Sequence, residues 1–160
     1  MSKTTHTVDI SWDVREVSTI SHPRNLSLLA HYEAARPAEG LPNRSDFDLI
    51  KMKDIASGLI VVQQVPEDEG LVKYRLIGSD IEERTGIVAT GRSIDLFGGK
   101  MSDDLRAIYR RVFEGHEVIK LRGHLTGLSI EHVDYEMISL PIMSRDGSRV
   151  DAIGGMFSFN

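Results

Sequence analysis

The chain has 160 residues, 41% of them hydrophobic and 27% charged, with a formal net charge of −5 and no cysteine. That length suits one globular domain with room for a core, and the acidic balance argues against a general nucleic-acid binder, which presents a basic face. Without cysteine there is no disulfide, no thiolate metal site and no cysteine nucleophile.

The start, MSKTTHTVDISWDV, holds no apolar signal segment. The longest apolar run, Leu59 to Val62, is far too short to span a bilayer. The expectation is a cytoplasmic protein with neither membrane nor nucleic acid as partner. Residues 1–20 are polar with isolated apolar positions and read as an N-terminal arm. Residues 21–160 read as a single domain.

Ser21-His22-Pro23 predicts a helix start, with Ser21 as cap and Pro23 in the first turn. Leu26, Leu29, Ala30 and Tyr32 or Glu33 follow at rough helical spacing, and Pro37 ends the helix near Arg36. A loop then leads to a short helix over Asp48 to Ala56. Gly58 to Val65 and Leu71 to Ile77 are two strands joined through Glu67–Gly70, a β-hairpin.

A short helix opens at Ser79 or Asp80 and ends at Gly86. Gly91 and Gly98-Gly99 mark an irregular stretch. From Ser102 the residues Leu105, Ile108, Tyr109, Val112 and Phe113 form one apolar stripe, the pattern of a helix packed on a core. Asp103 and Asp104 fall in its first turn and Gly115 is its terminator. Three strands follow, about Val118 to Thr126, Ile130 to Met143 and Val150 to Phe159, with turns at Gly127 and Asp146-Gly147.

Folding the first of these hairpins about Leu128 sets Lys120 opposite Glu136, Arg122 opposite Asp134 and His124 opposite His132. The charges then share one face, and Ile119, Leu121, Val133, Tyr135 and Met137 share the other. A two-residue slip keeps the faces; a one-residue slip mixes them. From Ile138 to Ile142 the alternation stops, which implies cover on both faces of the sheet. One cover is the long helix; the other is the N-terminal helix or a second subunit. Ile138 and Leu140 are therefore the candidate interface residues.

Strand–strand–helices–strand–strand–strand is the layout of a PAS domain. The segments LPNRSDFD (Leu41 to Asp48), YRLIGSDIEERTG (Tyr74 to Gly86), TGRSID (Thr90 to Asp95), LPIMSRDG (Leu140 to Gly147) and VDAIGG (Val150 to Gly155) extend the likeness. In order and spacing they resemble the single-domain PAS-like proteins common in alphaproteobacteria, over roughly residues 20–157. Two positions depart from that pattern: Leu49 stands where proline is frequent, and no tryptophan lies near Glu33. The resemblance implies an α+β fold, a five-stranded antiparallel sheet with helices on one face, plus the extra N-terminal helix. It also implies a space between sheet and helices that holds a small molecule, or an outer sheet face that dimerises; the fold does not choose between them.

The candidate ligand-binding residues follow from the strand and helix faces. Tyr74 and Leu76 share a strand face with Val72, Tyr109 lies on the apolar stripe, and Tyr135 and Met137 lie on the apolar hairpin face. Arg92, beside the expected cleft, suits an anionic group. Arg44, Asp46 and Asp48 read as caps and loop braces. No HExxH-like histidine pair, P-loop or GxSxG motif occurs, so neither a metal nor a catalytic residue is assigned. The reading is a stand-alone sensory or regulatory module, not an enzyme, that binds a small molecule of unassigned chemistry. It signals by contact with a protein partner and is expected to form a homodimer. The alternative is a ligand-free dimerisation or interaction module, and an enzyme of unrecognised type is a third.

Overall fold

The computed structural model describes residues 10–65, 67, 72–127 and 133–159. Its strands are β1 (Ser11–Glu16), β2 (Leu59–Gln64), β3 (Val72–Ile77), β4 (Ile119–Thr126), β5 (Tyr135–Met143) and β6 (Val150–Ser158). The helices are α1 (Pro23–Ala35), α2 (Ser79–Thr85) and α3 (Gly99–Gly115). All strand pairs are antiparallel, in the order β1-β4-β5-β6-β2-β3.

Among the described residues the sheet therefore has six strands, not the five expected. The extra one, β1, comes from the stretch read as an arm, and it pairs with β4 from Ser11↔Thr126 to Glu16↔Leu121. Ile10, Trp12 and Val14 alternate with Ser11, Asp13 and Arg15, so one side of β1 joins the core. Gly123 permits the pairing: a Cβ there would collide with the Asp13 carbonyl.

Two apolar layers flank the sheet. One lies between the sheet and α2–α3 and includes Tyr74, Tyr109, Val112 and Phe113. The other lies under α1 and residues 47–55 and includes Leu28, Tyr32, Phe47 and Leu140. The N-terminal helix thus covers its own sheet, and Ile138 and Leu140, 2% and 0% exposed, are buried beneath it. This corrects their assignment as interface residues: α1 occupies that face.

Glu136 anchors α1. It is 1% exposed. Its carboxyl accepts the Ser21 N–H at 2.7 Å and the His22 N–H at 3.0 Å. The Asn25 amide donates to it at 3.1 Å. An acidic group at a helix N-terminus meets unsatisfied amines and the positive end of the dipole. With Ser21 engaged there, His22 and not Ser21 caps the helix: its Nδ1 accepts from the Arg24 N–H and its Nε2–H donates to the Ser158 carbonyl. Gly155 lets α1 sit close, because a Cβ there would strike Asn25 Oδ1 and come within 2.8 Å of the Phe157 ring.

Pro141 is tolerated inside β5 because β4 stops at Ile119↔Ser139, so no ladder bond is lost on that side. The Pro141 carbonyl accepts from the Tyr32 hydroxyl at 2.7 Å.

Several boundaries move. The short helix expected over Asp48 to Ala56 is a series of turns ending in a 3₁₀ turn, Ala56–Gly58. α3 starts at Gly99, three residues before Ser102, so Asp103 and Asp104 lie beyond its first turn. Its left-handed end residue is His116 (φ 53°), not Gly115. The β4–β5 register is two residues from the expected one, with Lys120↔Ile138 and Arg122↔Glu136, and the faces keep their parity. Arg122 still reaches Asp134, diagonally, at 2.8 Å. The expected His124–His132 pairing and most of the Glu67–Gly70 turn lie outside the described residues. Asn43 and Asp46 form a capping box, so Asp46 has the bracing role read for it.

Candidate ligand-binding site

A cavity of about 100 Å³ lies between the sheet and α2–α3. Tyr74 (β3), Ile81 and Thr85 (α2), Tyr109 (α3) and Met137 (β5) are among its walls. Tyr74 is held at the sheet edge through its backbone, whose N–H donates to the Arg92 carbonyl at 2.9 Å and whose carbonyl accepts from the Gly91 N–H at 2.6 Å. Gly91, at φ +84°, makes the turn that brings this strip back.

The cavity is mostly hydrocarbon with a few hydroxyls. Burial pushes the Tyr74 phenol well above its ordinary value, and the neighbouring Tyr109 adds to the rise. Burial pushes the Tyr109 phenol up to about 12, with the Ser139 hydroxyl pulling the other way. Both phenols are therefore neutral at physiological pH and can donate or accept a hydrogen bond. The Thr85 hydroxyl is committed to the Ile81 carbonyl at 2.7 Å, the helical back-bond of a buried threonine.

Of the six residues assigned to a ligand from sequence, the cavity brings together Tyr74, Tyr109 and Met137. Leu76 is on the opposite face. The β2–β3 register passes from Val62↔Tyr74 to Val61↔Leu76, which leaves Arg75 as the extra residue of a β-bulge. The bulge reverses the alternation: Leu76 joins Val61 in the α1-side layer, and Ile77 takes its place at the cavity. Arg92 is exposed on the turn and contributes no wall. Tyr135 is buried outside the cavity lining, and its hydroxyl has no well-formed hydrogen bond among the described residues. Its phenol is raised by burial, against a lowering influence from Arg84.

Sequence reasoning missed two walls. Ile10 and Trp12 of the β1 segment close the β4 side of the cavity, and the Trp12 Nε1–H donates to Asp104 of α3 at 3.0 Å. Ala152 and Met156 of β6 form part of the floor. Among the described residues no three His, Cys, Asp or Glu side chains converge as a metal site. No helix among them is long and apolar enough to cross a membrane.

A family model described as a PAS domain matches residues 20–157. The chain belongs to the PAS domain family. No curated protein matches it. One similar solved structure is that of an RNA-binding light-oxygen-voltage receptor, at 16% identity and a TM-score of 0.48; the match covers 92% of this chain and 39% of that one.

Proposed function

We propose that this chain is a sensory or regulatory PAS module that holds a compact small molecule between the sheet and α2–α3, and that it passes the occupied state on by contact with another protein. The cavity is the observation that carries this reading, since a pure interaction module needs no internal space. An apolar cavity of about 150 Å³ takes benzene or xenon, so the present one suits a small, largely apolar molecule. Tyr74 and Tyr109 would supply hydrogen bonds to one polar end, and Met137, an adaptable side chain, would fit the apolar body. Binding, not bond-making, is the role: among the described residues the hydroxyls of the cavity have no carboxylate or histidine in the lining to activate a nucleophile.

Trp12 is the only tryptophan of the chain and stands in the cavity wall. Its emission is a built-in reporter. Benzene titrated into the protein should change that emission saturably. The Ala152→Leu variant, which puts three more carbons into the same space, should stay folded and lose the response. Wild-type emission that never changes, or a response that Ala152→Leu leaves intact, would remove the cavity as the binding site.

A further inference from the structure

Another recess among the described residues is unlike the cavity. It is an open groove of about 440 Å³ on the α1 side of the sheet, where the bulged end of β3 meets the β5–β6 turn. Its floor is Val61 and Leu76; its sides hold Arg44, Arg75, Arg145 and Arg149 against Asp146 and Asp151. Four cations from three chain segments converge in a protein whose net charge is −5.

The two aspartates neutralise only part of this charge. Asp146 is taken by the turn it sits in: it accepts from the Ser144 and Ser148 hydroxyls, each at 2.7 Å, and from the Ser148 N–H at 3.0 Å. These bonds hold its carboxyl well below the usual carboxylate range. Asp151 accepts from the Gln64 N–H at 3.0 Å and pairs with Arg149 at 3.1 Å. Arg44 donates to the Phe47 carbonyl, a neutral partner. Arg75 and Arg145 make no ion pair among the described residues. Burial and the nearby Arg145 disfavour the charge on Arg44, against a smaller favourable influence from Asp151. Arg44 and Arg145 thus repel one another, Asp151 offsets only part of that repulsion, and an anion placed beside them would relieve it.

The bulge has a part in this. By taking Arg75 out of the regular alternation it frees Leu76 for the floor and sets the Arg75 side chain at the rim. Guanidinium forks match phosphate oxygens in pairs, and several forks from separate segments suit a group with more than one phosphate. A groove of this size admits a small molecule. We propose that this arginine-lined groove binds a di- or polyphosphate group carried by a small molecule. The site is separate from the apolar cavity and does not rest on that assignment.

The test is calorimetric titration of the full chain with inorganic pyrophosphate at low salt. Saturable binding is expected, weaker with inorganic phosphate and weaker again as salt rises. The double variant Arg75→Gln/Arg145→Gln, at two exposed positions, should keep its melting temperature and weaken pyrophosphate binding by about tenfold or more. Arg145→Lys, which keeps charge without the fork, should fall between. Heat that never saturates, or saturable binding that the double variant leaves unchanged, would overturn the proposal. A phosphorylated peptide that binds where pyrophosphate does not would overturn it too, in favour of a protein partner. The Trp12 response to benzene should survive the double variant, which separates the two sites.

Discussion

Glu136→Ala should lose about 2–4 kcal/mol of stability, most of it through release of α1. The Glu136 side chain is buried in the sheet face beneath the helix and is the shared acceptor for the Ser21 and His22 amines and the Asn25 amide. Alanine removes every one of those acceptors while leaving the donors where water cannot reach them easily, which costs more than the bonds themselves contribute. Glutamine keeps the shape and one acceptor oxygen but turns an NH₂ group toward other donors, so Glu136→Gln should lie between wild type and alanine. Urea denaturation reads the loss, and hydrogen exchange locates it: the amides of α1 should lose protection before those of β4 to β6. A loss below about 1 kcal/mol, with α1 still protected, would mean that Leu28 and Tyr32 hold the helix without the carboxylate.

Leu140→Ala is the second large effect. The side chain is fully buried under α1 with Leu28 and Tyr32. Truncating a leucine in such a place costs about 2–5 kcal/mol, set by how far the surroundings close over the void. The oligomeric state should not change, because α1 already covers this face. Sedimentation of the variant beside wild type checks that directly. A stable variant whose association is altered would return Leu140 to an interface. Since Glu136 and Leu140 share α1 as a partner, the double variant should lose less than the two single losses together once the helix has detached.

The parts legible in the sequence were those governed by a regular period. The stripe from Leu105 to Phe113 gave α3, and the alternation from Ile119 to Leu125 gave both faces of β4. Doubly covered β5 could be read from the loss of alternation after Met137, though which element covers it could not. β1 was legible in principle, since Ile10, Trp12 and Val14 alternate cleanly, but short polar termini carry that pattern by chance as well. What escaped was information that no period holds. A one-residue bulge at Arg75 exchanged Leu76 for Ile77 at the cavity, and nothing in VKYRLI marks it. The partner of Ser21 lies 115 residues away in sequence, so a local reading gives it a capping role that Glu136 takes away. The groove escaped for the same reason: its arginines, scattered along the chain, meet only in the folded sheet.

The central claim is that the space between Tyr74 and Tyr109 is occupied in the cell. Native mass spectrometry of the protein purified from the organism that makes it tests this most directly, with denaturing mass spectrometry of the same sample beside it. The account predicts a mass in excess of the polypeptide that disappears on denaturation and is absent from Ala152→Leu purified in the same way. A folded wild-type protein whose native mass is that of the polypeptide alone, or an excess mass that Ala152→Leu retains in full, would contradict it.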